Sequence, residues 1–278
     1  MGTIKSEIRT SGNSLMKNLD CEVVIKPSRG GNIRIFSKGA DVPFNVNIEN
    51  LHSTDHCVTL CSKEHRTLLG DYKYKAMLVE HFVAACAICG IDSIDVYMSE
   101  MEMPIFDGSS KVWVELFKNA GIEGVNKDIY TVSEPVYYLN GKTSLVILPD
   151  KELTISYAVN YDHPDLRNRW VSYDSKKLNE IIEARTFGFL KDLKKYQMLG
   201  FAKGVSYDNT VGLKDVGYTV PLRSEFEPAK HKILDLIGDL YLTGVSPLNM
   251  KAQILVKEAG HAVHTKVAQV LKDKLVKL

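Results

Sequence analysis

Nowhere in the 278 residues is there an unbroken apolar run of membrane-spanning length, and the opening stretch MGTIKSEIRTSGNS has no apolar core. The first absence excludes a helix that crosses a membrane, for which about 18 consecutive apolar residues are needed. The second excludes a secretory signal of the usual form, so the expected setting is the cytoplasm. Charge of one sign is also missing: 35 Lys and Arg stand against 34 Asp and Glu, a net of +1. Without bulk basicity, nucleic acid is not an expected partner, and any anionic ligand must be held by a local patch. A chain with 45% hydrophobic residues is neither disordered nor collagen-like, and it is long enough for one large core or two smaller ones.

Disulfides are not expected either. The five cysteines, Cys21, Cys57, Cys61, Cys86 and Cys89, form an odd set in a chain with no export signal, which fits reduced thiols. CAIC at 86–89 has redox-motif spacing but lies inside the apolar run LVEHFVAACAICG, where small residues suit helix packing. HSTDHCVTLCSKEH offers His56, Cys57, Cys61 and His65 as soft metal ligands, yet it lacks the C-x2-C pairing of structural zinc sites and alternates like a strand. The core reading is preferred in both places.

What is there is an order of elements that occurs twice. In the first half, strand patterns in CEVVIKP, NIRIFSKG and DVPFNVNIENLHS precede a long apolar helix, AMLVEHFVAACAIC, closed by Gly90. A strand, DSIDVYMSE, and an amphipathic helix, SSKVWVELFKNAG, follow. The second half repeats the plan with strands SEPVYYLN, KTSLVILPD and KELTISYAVNY, a helical KKLNEIIEARTFGF, and an apolar helix KHKILDLIGDLYLTG ending at Gly244. A strand, MKAQILVKEAG, and a basic helix, HAVHTKVAQVLKDKLVKL, complete it; its lysines, from Lys266 to Lys277, read as a solvated face. The predicted fold is α+β: two similar domains, 1–125 and 129–278, each a mainly antiparallel sheet packed against helices as a two-layer sandwich. IEGVNKD, 122–128, is the expected linker, and the shared face is the expected place for an active site.

Titratable residues concentrate on the two apolar helices. His231, Asp235 and Asp239 recur every four residues, so they share one stripe of a helix whose other positions are apolar. Such a stripe is either a satisfied buried His–Asp pair or part of a metal site. Glu80 and His81, placed in an otherwise apolar run, tip the balance. Two His and one Asp with an open position make a catalytic zinc site, with a nearby Glu as proton acceptor for water. His261, at the start of the last helix, is suited to protonate a leaving amine or steady an oxyanion, with Asp239 fixing its tautomer. Iron(II) is accepted by the same donors. The chemistry expected is metal-assisted hydrolysis of an amide or ester.

The motifs VEHFVAA, MPIFDGSS, ARTFGF, EPAKHKILDLIGDLYLTG and AGHAVHTK, in this order and spacing, resemble those of the UDP-3-O-acyl-N-acetylglucosamine deacetylases, zinc amidases of lipid A biosynthesis. The resemblance covers most of the chain. It implies zinc held by His81, His231 and Asp235, Glu80 as general base, and His261 as the electropositive acid partner backed by Asp239. It further implies that Lys232 stands near the site, that Thr186 helps to polarise the acetyl carbonyl, and that Phe187 forms part of the sugar wall. The implied partner is an acylated UDP-sugar, bound by a monomer. An acyl passage is expected in an insert spanning HPDLRNRWVSYD to EIIEARTF. Four positions depart from the family pattern: Met16 replaces a His, Val205 a Gly, and His264 an Asn. Glu258 replaces a Lys, which leaves Lys257, one step off, as the substrate-binding lysine. A carboxylate facing a diphosphate would repel it.

Overall fold

The computed structural model describes residues 1–125 and 128–278. Six helices are present: α1 (Glu80–Cys89), α2 (Lys111–Ala120), α3 (Leu178–Ile182), α4 (Leu190–Met198), α5 (Glu227–Tyr241) and α6 (His261–Lys272). Each half builds a five-stranded sheet. The first runs Ile8–Asn13, Asp20–Pro27, Ile94–Met98, Ile33–Phe36, Phe44–Asn45, and the second Val136–Asn140, Thr143–Pro149, Ala252–Lys257, Thr154–Val159, Arg169–Ser172. In chain order both read 1-2-5-3-4, with one parallel pair between the third and fifth strands and antiparallel pairing elsewhere. The repeat expected from the sequence is therefore a repeat of topology. Alternation explains the sheets: Cys21, Val23 and Ile25, and likewise Ala252, Ile254 and Val256, point inward while their neighbours are more exposed.

A parallel pair needs a crossover, and α1 and α5 occupy the equivalent places before the fifth strand of each sheet. These two helices pack on each other. Every residue of α5 except Lys230 is buried, as befits a helix that is apolar on nearly all sides. They approach closely at Gly238, where an added Cβ would lie 2.4 Å from the carbonyl oxygen of Glu80. A side chain there would hold the helices apart, so glycine sets the spacing at the level of Glu80 and His81. No helix among the described residues is long and apolar enough to cross a membrane.

Several expected elements differ. The first apolar helix begins at Glu80, four residues later than the pattern predicted. Lys75–Met77 instead pairs as a strand with Thr59–Cys61, and Leu78 turns the chain with φ +59°. Glu80 and His81 thus lie in the first turn of α1, where free backbone N–H groups favour a carboxylate. DVPFNVNIENLHS is broken by a 3-10 turn at Ile48–Asn50, because the Asn47 side chain accepts from the Asn50 N–H. KKLNEIIEARTFGF is helical only as far as Ile182, and Phe187–Phe189 forms a parallel strand with Val211–Leu213. The last helix ends at Lys272, and Leu275–Lys277 pairs with Tyr130–Val132. Ile8–Asn13 was not expected as a strand. The expected linker falls partly outside the described residues; its first two residues, Ile122–Glu123, pair with Thr3–Ile4.

Candidate functional site

Between the halves lies a cavity of about 660 Å³. On its polar side are Glu80 and His81 from α1, His231, Lys232 and Asp235 from α5, Thr186, and His261 from the start of α6. Its apolar side includes Met16, Leu78, Phe187, Leu193, Phe201 and Val205. Of the segment in which an acyl passage is expected, Thr186 and Phe187 line the cavity, and most of the rest of the apolar wall follows it in the chain, as far as residue 212. Residues 163–174 contribute none of the lining.

His81, His231 and Asp235 offer one donor atom each, all within 4.8 Å of one another, and all three residues are buried. His231 Nδ1 lies 2.9 Å from the carbonyl oxygen of Ala184, which can only accept, so Nδ1 carries the hydrogen and Nε2 presents a lone pair. That Nε2 faces Asp235 Oδ1 at 3.3 Å, and Oδ1 is buried with no hydrogen-bond partner. His81 Nε2 is 3.9 Å from the same oxygen. Two lone-pair atoms at such a distance with no hydrogen between them repel unless a cation joins them. The spacing suits one: bonds of about 2.0–2.1 Å in a tetrahedral zinc site keep ligand atoms roughly 3.3–3.4 Å apart. Burial, reinforced by the neighbouring His231, pushes His81 down to about 3, and burial lowers His231 as well. Both imidazoles are therefore neutral, the form that binds metal. Although burial alone would raise it, the Asp235 carboxyl is held well below the usual range by His231, Lys232, His261 and His81. Lys232 Nζ takes the other carboxylate oxygen, at 2.6 Å.

Glu80 is the carboxyl best placed to exchange a proton. Its Oε2 accepts from the Val58 N–H at 3.0 Å, and Oε1 lies 3.7 Å from His261 Nε2. Burial, with the charges of Asp235 and Asp239, outweighs His261 and pushes Glu80 up to about 7. His261 has the opposite sense: burial opposes its charge, but Asp239, Asp235 and Glu80 raise it to about 9. The site thus places a carboxyl poised near neutrality 3.7 Å from an imidazole whose charged form is favoured, an arrangement that can take up and release protons. Asp239 Oδ2 receives His261 Nδ1 at 2.7 Å.

Thr186 donates its N–H to Gly108 at 2.7 Å, which fixes it at the cavity edge. Phe187 stands edge-on to Tyr161 and His231. Lys257 is exposed at a strand end and does not line the cavity, and neither does Glu258. Met16 and Val205 do line it, making that wall apolar. His56, Cys57, Cys61 and His65 do not come together as a metal-binding group among the described residues. Cys57 belongs to a small apolar cluster, and His65 pairs with Ser62. In the CAIC segment burial raises both thiols, Cys86 well above the ordinary range and Cys89 to about 11, as expected of core residues rather than redox ones.

Three supports escaped the sequence reading. They are the Ala184 carbonyl on His231, the Val58 N–H on Glu80, and the ion pair that anchors the segment carrying Ala184 and Thr186. In that pair the Glu227 carboxylate accepts from Arg185 Nε, Nη2 and N–H and from the Arg223 N–H, with Glu227 fully buried. The ARTF and EPAKH motifs contain both ends of it, but nothing in their spacing pairs them.

The model of the family described as LpxC, UDP-3-O-acyl N-acetylglycosamine deacetylase, matches residues 1–273. A UDP-3-O-acyl-N-acetylglucosamine deacetylase of Leptospira biflexa is 35% identical over 230 residues, covering 80% of this chain and 74% of that protein. One from a Nostoc species is 31% identical over 278 residues, with 96% of each chain covered. One from Idiomarina loihiensis is 32% identical over 278 residues, covering 97% of this chain and 88% of that protein. Agreement of this kind along nearly the whole length means that the chain belongs to the UDP-3-O-acyl-N-acetylglucosamine deacetylase family.

Proposed function

We propose that this protein is a zinc-dependent amidase that removes acetate from UDP-3-O-acyl-N-acetylglucosamine, a step of lipid A biosynthesis, and that it does so in the cytoplasm. His81, His231 and Asp235 would hold the ion, which supplies Lewis acidity toward water and toward the acetyl carbonyl. Glu80 takes a proton from the attacking water. As the amide C–N bond breaks, protonated His261 gives its proton to the sugar nitrogen, so that acetate and a free amine leave. Asp239 keeps the His261 Nδ1 hydrogen in place and balances its charge. Thr186 and Lys232 flank the carbonyl, Phe187 backs the sugar, and the apolar wall from Met16 to Val205 receives the acyl chain.

The observation that carries this reading is the unpartnered Asp235 Oδ1 facing the free Nε2 of His231, within the same cavity as the Glu80–His261 pair. The experiment is turnover of the UDP-sugar by zinc-loaded protein, followed as free amine beside a Glu80→Ala control. Turnover abolished by the substitution supports the proposal. No turnover despite one zinc bound per chain refutes the substrate. A second reading keeps the chemistry and changes the N-acyl substrate. Met16 and Val205 favour it, since they stand on the wall in place of the family's His and Gly, and acetate release from other N-acetyl compounds would identify it.

A further inference from the structure

Asp239 has a second imidazole. His264, one turn along α6 from His261 and fully buried, places its Nδ1 2.8 Å from the same Oδ2 that His261 holds at 2.7 Å. The other oxygen, Oδ1, is buried with no hydrogen-bond partner. Among the described residues, then, the carboxylate is held by two imidazole donors converging on one atom. His264 is fixed from behind: its Nε2 lies 2.9 Å from the hydroxyl of Tyr157, whose single hydrogen can go to that nitrogen or to the Ala259 carbonyl 2.8 Å away, and with the His264 hydrogen on Nδ1 toward Asp239 it goes to Nε2. Tyr157 is fully buried in the second sheet, and Ala259 immediately precedes the Gly260 N-cap of α6. The three donor atoms of Asp239, His261 and His264 lie close enough to hold an ion, but both Nδ1 atoms stand at hydrogen-bond distance from a carboxylate oxygen that can only accept, so a hydrogen on each satisfies the contacts without one.

We infer that His264 is a positioning residue for the amide-cleaving reaction, acting through Asp239 to set the tautomer and ring orientation of His261, with Tyr157 locking His264 in turn. This rests on the role proposed for His261. Its reasoning is geometric. With Oδ1 unbonded, a carboxylate gripped only by His261 could turn about its Cβ–Cγ bond, and His261 Nδ1 would lose its fixed acceptor. A second donor on the same oxygen, itself braced by a phenol and a sheet, removes that freedom. His261 Nε2 is then directed at the cavity, 3.7 Å from Glu80 Oε1.

The test uses the full-length zinc-loaded protein and three variants. His264→Phe keeps the ring volume and deletes both nitrogens, whereas His264→Asn keeps a donor where Nδ1 stands. The expected result is a fall in kcat of roughly tenfold for His264→Phe, the usual scale for losing a partner behind a working histidine, with KM and zinc content unchanged. His264→Asn is expected to recover most of kcat. In nitrogen-15 spectra, the slowly exchanging Nδ1–H signal of His261 is expected in wild type and in His264→Asn and is lost in His264→Phe. Wild-type kcat in His264→Phe, or equal losses in both variants, overturns the inference. Should wild type not turn over the UDP-sugar, the function proposed above fails, and the spectra still decide whether His264 orients His261. Should His264→Phe not fold, Tyr157→Phe replaces it; unchanged Nδ1–H signals of His261 and His264 in that variant overturn the inference.

Discussion

Replacing Gly238 with alanine tests whether the spacing of α1 and α5 builds the site. The new methyl carbon would stand 2.4 Å from the Glu80 carbonyl oxygen and 3.2 Å from the Ala84 nitrogen. Both neighbours are backbone and cannot swing away. Restoring ordinary contact moves the helices about 1 Å apart, an overpacking change that costs roughly 1–3 kcal/mol. In a chain of this length that lowers Tm by roughly 2–10 °C. The larger consequence is local. His81 travels with α1, and His231 and Asp235 travel with α5, so the separation opens the donor set and carries Glu80 away from His261. A misplacement of about 1 Å reduces activity on the order of a hundredfold. The assay is zinc affinity by competition with a chromophoric chelator, with kcat/KM measured in excess zinc. Leu145→Ala, in the buried face of the second sheet and away from the cavity, serves as a control of comparable or greater destabilisation. A Gly238→Ala protein that loses Tm yet retains wild-type zinc affinity and kcat/KM would refute the reasoning.

Three further outcomes are expected. His81→Ala loses zinc, whereas His261→Ala keeps it and loses turnover; loss of metal in both, measured by elemental analysis, would mean that His261 is wrongly assigned. Arg185 and Arg223 hold the Glu227 carboxyl below its ordinary value even though burial opposes this. Its contribution to stability is therefore complete above the unfolded value near 4.5 and is lost as pH falls through the lower folded one. Glu227→Gln should lower stability by roughly 3–5 kcal/mol at neutral pH, as expected when one partner of a buried pair is removed. Its melting temperature should also vary less than that of wild type below pH 4.5, and equal slopes would count against the pair. Finally, thiol reagents should leave Cys57 and Cys86 unmodified in the folded protein and label Cys89 slowly, because burial suppresses the reactive thiolate. Rapid labelling of Cys86 under native conditions would contradict this.

Much of this was legible in the sequence because the signals were local. Period-two alternation marked Asp20–Pro27 and Ala252–Lys257, and a four-residue stripe marked His231, Asp235 and Asp239. Glu80 and His81 stood out because charge in an apolar run is costly. What failed was decided by tertiary partners. Ala76 and Met77 have an apolar pattern that suits a helix, but pairing with Thr59–Cys61 draws them into a strand. Phe187–Phe189 follows a helical segment in sequence and is a strand because Val211–Leu213 lies alongside it. Lys257 stands exposed at the end of the central strand of its sheet, outside the cavity lining. The Ala184 carbonyl could not have been found at all, since a backbone acceptor carries no residue identity.

That carbonyl begins a stretch of four residues with a different task at each. Ala184 accepts from His231, Arg185 grips Glu227, Thr186 is tied to Gly108, and Phe187 faces both the cavity and the His231 ring. The cavity wall at Phe187 and the carbonyl that orients His231 therefore belong to one continuous piece of backbone. Under the function proposed above, the acyl chain would press on the same backbone that orients His231, and the two binding events would be coupled through it. Whatever a long acyl chain does to the affinity for the ion, the ion must do in equal measure to the affinity for the acyl chain.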